Sequence, residues 1–366
     1  MEVRDWLLDG DPAIRWQVLR DLTEAPAEQV AAERARVEHE GWAARLLAVR
    51  DPDGQWDGGA CFPRRVVDDW RAGIEPDFSD GQPWTSTLPT LMLLRDLGLD
   101  PASPAARETI RLVAANCRWE HDGEAFFDGE VEACINGRTL SIGAYFGADV
   151  DGLVTGLLAD QLDDGGWNCW AEHGATVSSF DSTICVLEGL LEYELSGGGV
   201  AVTAARRRGE EYLLERRLFR RRSTGEVPAE RWLQFSWPPR WHYDVLRALD
   251  HFRRIDEAPD ERIDDAGTAC PRQAGRPWHL AAREHPPRSD PVRVRGRRRA
   301  TQPVEHAAAA ARPRLVPTTA VSPVSWVSLL TRRVASLWAE RFAPRSPARC
   351  GGGLGPTWPQ HREGAA

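Results

Sequence analysis

Apolar positions in this chain recur mostly at three- and four-residue spacing, while runs that alternate every second residue are scarce, so the sequence predicts helices and an all-α fold. Residues 1–50 read as a helical hairpin. Asp11-Pro12 opens a helix with Ile14, Val18 and Leu19 on one face, and Pro26 to Val49 gives a second with an alanine-rich stripe. A Gly-x-Trp turn follows at Gly54 and Trp56, then a Gly/Pro loop, then Trp84-Thr85-Ser86-Thr87-Leu88 running into Leu91, Leu94 and Leu97 before Gly98.

The same order returns at Asp163-Asp164-Gly165-Gly166-Trp167. There the turn leads through a polar loop into Phe180-Asp181-Ser182-Thr183-Ile184, which continues to Leu187, Leu190 and Leu191 and has Ser178 or Ser179 as its cap. Both helices begin aromatic-x-Ser-Thr-aliphatic, which sets one leucine stripe on one face. A third copy starts at Trp241-His242-Tyr243-Asp244-Val245, and Tyr145 to Leu162, read as helical, fills the gap between the first two. The spacing implies helix-pair repeats of about fifty residues, a period that builds a solenoid or a ring.

Composition adds a boundary. The net charge of −9 is an average over an acidic body and an arginine-rich tail, and every basic residue is arginine. The acidic body argues against nucleic acid as a partner. No apolar run is long enough for a membrane span, the N-terminus lacks the features of a secretion signal, and the seven unpaired-looking cysteines suit a reducing compartment, so the expected location is the cytoplasm. The regular pattern stops after Asp265. Residues 266–366 read as an Arg/Pro/Ala-rich, disordered tail whose codons, shifted by one base, can again spell the turn and the aromatic-x-Thr-Leu helix; it is expected to be a frameshifted product. Residues 51–265 are then the repeat domain.

The Gln-x-x-x-Gly-x-Trp run at Gln161, Gly165 and Trp167 resembles the QW motif of squalene and oxidosqualene cyclases, whose superfamily includes the protein prenyltransferase β-subunits. The resemblance implies an α/α toroid, here an incomplete ring, around an apolar cavity suited to an isoprenoid-like small molecule. It implies a lining of Trp84, Tyr145, Phe180, Trp241 and Tyr243, whose π faces stabilise cations. By the same resemblance, zinc would be held by Asp164, Cys169 and His242, with Cys134 and His173 as substitutes. The Asp-x-Asp-Asp acid of the cyclases is absent, its nearest approach being Asp149-Val150-Asp151-Gly152.

Candidate catalytic carboxylates are Asp164, Asp181 and Glu132. The last lies in Glu130-Val-Glu132-Ala-Cys134-Ile-Asn136-Gly137, a polar stretch whose Asn-Gly pair predicts a turn. Three readings stay open: an isoprenoid-processing transferase or lyase, a toroid that binds a lipid or protein without chemistry, and an inactive product of a shifted frame.

Overall fold

The computed structural model describes residues 3–269 except 77, 79–81, 234–236 and 256–259; the expected tail beyond residue 269 lies outside the described residues. Among the described residues the protein is all-α, with two isolated β-bridges and no strand. The helices of the first part are α1 (Val3–Leu8), α2 (Pro12–Leu22), α3 (Ala27–Ala35), α4 (Gly41–Ala48), α5 (Arg64–Arg71), α6 (Thr87–Leu97) and α7 (Pro104–Asn116). There follow α8 (Ala133–Phe146), α9 (Asp151–Ala159), α10 (Phe180–Leu195), α11 (Thr203–Leu214), α12 (Val245–Arg254) and α13 (Asp264–Ala269). None is long and apolar enough to cross a membrane.

Local chemistry places the helix ends. Asp11 caps α2 through Ala13 N and also accepts from Trp42 N, which ties α2 to α4. Ser179 caps α10 by accepting from Ser182 N at 3.0 Å. Three expected helices are shorter than their hydrophobic pattern. The Pro26–Val49 run breaks at Gly41, whose φ of +74° sits against the Asp11 carboxylate, and the Tyr145–Leu162 run breaks at Gly147, where φ is +76°. In the third copy Asp244 caps α12, so Trp241, His242 and Tyr243 precede the helix that they were expected to open.

Helices α6, α8, α10 and α12 pack neighbour to neighbour as an inner row, and α9 and α11 pack against α8 and α10. The closest pair is α8 and α10. A Cβ at Gly137 would stand 2.6 Å from the Cys185 backbone, and one at Gly189 would stand 2.4 Å from the Gly137 carbonyl oxygen, so only glycine lets these two backbones touch. The turn expected at Asn136-Gly137 is therefore helix interior. The Asn136 side chain instead returns to the loop, accepting from Glu130 N at 2.7 Å.

One apolar core runs without a break from Leu7 to Ala266. The two Gly-x-Trp turns clamp it in the same way. The Trp56 indole donates to the Leu46 carbonyl at 2.8 Å and the Trp167 indole to the Leu157 carbonyl at 2.7 Å, each ten residues back. Each tryptophan amide then meets the threonine of the following inner helix, Thr87 or Thr183. Residues 3–50 share this core, with the Trp16 indole bonded to the Leu97 carbonyl at 2.9 Å.

Candidate functional site: a thiol pair at two helix starts

The second Gly-x-Trp loop carries Cys169 to the N-terminal ends of α8 and α10. Its sulfur accepts from Cys134 N at 3.2 Å, an amide of the first turn of α8 with no partner inside that helix, and from the Ser182 hydroxyl at 3.1 Å. Ser182 has little choice of direction. Its oxygen accepts from Cys169 N and from the Ser179 hydroxyl, so its one proton is left for the Cys169 sulfur.

The Cys134 thiol completes the group. It is within 3.4 Å of a Glu132 carboxylate oxygen, and one donor atom from each of Glu132, Cys134 and Cys169 lies within 4.8 Å of the other two. The Cys169 thiol is drawn below the ordinary cysteine range chiefly by the Cys134 thiol, with the Ser182 hydroxyl and Cys134 amide helping against the opposing effect of burial. Cys134 is pushed well up, first by the Cys169 thiol and then by burial. Of the two interacting thiols, Cys169 is thus the more acidic and the more accessible.

Other expected site residues have separate placements. Asp164 closes the loop onto Ser178, accepting from its amide at 3.0 Å and from its hydroxyl. Asp181 accepts from Tyr243 N at 2.6 Å and lies 3.7 Å from Arg231, so it ties α10 to the segment before α12. His242 stacks on Trp241 with ring centroids 3.8 Å apart, and burial lowers its pKa; His173 is exposed beside Glu172 and Trp170. Among the described residues neither histidine joins the donor group of Glu132, Cys134 and Cys169.

Of the five aromatics expected to line a cavity, Tyr145 does so; its hydroxyl accepts from Arg34 at 2.8 Å and donates to the Leu99 carbonyl at 2.9 Å. Phe180 and Tyr243 pack with Tyr212 and Trp232 in a buried aromatic cluster, and Trp84 lies 5.4 Å from Arg240. The cavity itself, about 380 Å³, is mixed in character: eight arginines and five carboxylates line it together with apolar and aromatic side chains. Sequence reading missed Ser182 as a thiol partner, and it missed the arginines. One signal was available, since Arg138 is the single charged residue in the otherwise apolar and small-residue run of α8.

The geometry defines an all-α protein with two neighbouring thiols where α8 and α10 begin. Part of its sequence is similar to curated leucyl/phenylalanyl-tRNA–protein transferases. Those of Paraburkholderia xenovorans and Paraburkholderia phytofirmans are each 37% identical over 95 residues, covering 25% of this chain and 38% of theirs. That of Paraburkholderia phymatum is 35% identical over 76 residues, covering 20% of this chain and 30% of its own. This chain thus spans well under half the length of the relatives it matches.

No family model and no solved structure matches the chain. The resemblance to squalene cyclases and prenyltransferase β-subunits, and the isoprenoid-processing function it implied, are overturned by these names, which belong to aminoacyl-group transferases. The physical reason is that a glycine-tryptophan turn reports how two helices are clamped and carries no information on what lies between them.

Proposed function

We propose that the protein is a group transferase that moves an aminoacyl or related acyl group from an ester donor to an amine, with Cys169 as the nucleophile. The observation that carries this is the Cys169 sulfur, held by Cys134 N and the Ser182 hydroxyl and lowered in pKa by its neighbours. A thiolate so held attacks the ester carbonyl; the carbon–oxygen bond to the donor alcohol breaks, the departing alkoxide takes a proton, and a thioester remains on Cys169. The acceptor amine then attacks the thioester, loses a proton and forms the amide, and the sulfur leaves as thiolate. Cys134 and Glu132 stand where protons must be given and taken.

The names of the partial relatives support the reaction class, and they bring tRNA and protein into the proposal as donor carrier and acceptor, against the exclusion of nucleic acid drawn from charge. The test offers purified protein leucyl-tRNA, phenylalanyl-tRNA or the small aminoacyl ethyl esters, with and without an acceptor protein. Acid-quenched intact mass should show one added aminoacyl group, released by hydroxylamine and absent from Cys169→Ala, whose transfer rate falls at least about a thousandfold. Absence of both adduct and transfer with every donor sinks the proposal.

A second reading is favoured by the three-donor group alone. Two thiols and a carboxylate suit zinc with one position open, and Glu132, Cys134 and Cys169 would hold it; when bound, the metal would supply a Lewis acid. Metal analysis of the purified protein separates the readings. Stoichiometric zinc lost in Cys134→Ala, with Cys169 shielded from alkylation until chelation, favours the metal; a metal-free protein with a reactive Cys169 favours the nucleophile.

A further inference from the structure

The arginine-lined cavity reaches α8 at Arg138, one turn after Cys134, and its charges do not balance. Most of the arginines there have carboxylate partners: Arg247 meets Glu188 at 2.7 Å, Arg254 meets Glu192 at 2.6 Å and Arg95 meets Asp96 at 2.7 Å. Among the described residues Arg34, Arg138 and Arg240 do not, and Arg34 is instead bonded to the Gly98 carbonyl and the Tyr145 hydroxyl. Arg138 is only 3% exposed, and its Nε donates to the Cys134 carbonyl at 3.1 Å. Its terminal nitrogens meet no acceptor among the described residues. Arg240 reaches the Pro89 carbonyl at 3.4 Å and lies over Trp84, with no carboxylate in contact among the described residues.

A buried guanidinium without a counter-charge is costly, so Arg138, with the half-buried Arg240 on the same cavity wall, asks for an anion. Burial, with Arg138 nearby, pushes the Arg240 pKa down to about 10, which still leaves it charged at neutral pH. An apolar strip of Met92, Leu93, Pro89 and Trp237 faces the same space. The volume falls within the range of small-ligand pockets.

We propose that this cavity binds a small phosphate or diphosphate ester, with its oxyanion on Arg138 and Arg240 and its apolar portion against Met92, Leu93 and Trp237. Arginine forks match the several acceptor oxygens and the multiple charge of such a group, and eight arginines against five carboxylates leave room for two or three negative charges. A single carboxylate would leave one guanidinium unpaired. The assignment is independent of the thiol chemistry, because it concerns binding and uses no residue of the thiol pair.

Calorimetric titration of the full chain with inorganic pyrophosphate, inorganic phosphate and succinate tests it. Pyrophosphate should bind saturably at one site, raise the melting temperature and compete with phosphate, with succinate at least tenfold weaker. Arg240→Gln and Arg138→Gln should each weaken pyrophosphate at least tenfold, while Arg45→Gln, on the exposed face of α4, should leave it unchanged. If Arg138→Gln does not fold, Arg240→Gln alone decides. No saturable binding, equal affinity in Arg240→Gln, or a preference for succinate overturns the proposal.

Discussion

The two Gly-x-Trp repeats share a frame and differ in what they do with a cysteine. In the first, the Ser86 hydroxyl donates to the Cys61 carbonyl, and the buried Cys61 thiol is pushed up to about 12 by desolvation. In the second, the corresponding Ser182 donates to the Cys169 sulfur, and that thiol is lowered and partly open to solvent. The tryptophan clamps and the threonine contacts are the same. The two cysteines differ in place along their loops, five residues after Trp56 and two after Trp167, and with it in whether carbonyl or sulfur meets the serine.

The largest expected effect tests the shared frame. Trp167→Ala, at a fully buried ring, should cost about 4 kcal/mol in urea unfolding, and Trp56→Ala a similar amount. A small loss at either one would show that the clamps are not equivalent. Next comes the helix contact that brings the second site together. Gly137→Ala should destabilise by about 2 kcal/mol through its clash with the Cys185 backbone, whereas Gly156→Ala, with open space around it in α9, should stabilise by about 0.5–1 kcal/mol.

The thiols themselves should diverge. Iodoacetamide at neutral pH should alkylate Cys169 at least about tenfold faster than Cys61, by peptide mass mapping, and Ser182→Ala should narrow that gap. Stability should also fall as pH rises above about 9. Cys61 and Cys117 keep their protons to about 12 in the fold, so the unfolded chain deprotonates first and is favoured across that window. Cys169, with its lowered pKa, acts with opposite sign: its contribution is present above the ordinary thiol pKa and is lost as pH falls through the folded value. The smallest expected loss is at the cap. Ser179→Ala should cost about 1 kcal/mol and loosen the orientation of Ser182, seen as slower Cys169 alkylation.

Much of the fold was legible because its signals are local. Helical period, the Asp11 and Ser179 caps and the repeated Gly-x-Trp turn are each written within a few residues, and each holds in the structure. The candidate site was only partly legible. Cys169 was singled out as a metal ligand with Cys134 as its substitute, and Glu132 as a catalytic carboxylate, while Asp164 and His242 were grouped with Cys169 where the structure gives them other neighbours. The Asn136-Gly137 pair shows why: its turn propensity yields to the burial gained when α8 and α10 touch, a contact between segments about fifty residues apart.

By itself, then, the sequence determined that the protein is helical, where α2 and α10 begin and that two tryptophan turns repeat, since backbone propensity and hydrophobic period act over one or two helical turns. Only the tertiary structure decided that Cys134 and Cys169 meet at the start of α8 with their acidities pushed apart, and that Arg138 and Arg240 face one cavity with no carboxylate partner among the described residues. Those properties depend on distance and desolvation between distant segments, and neither is encoded in the spacing of residues along the chain.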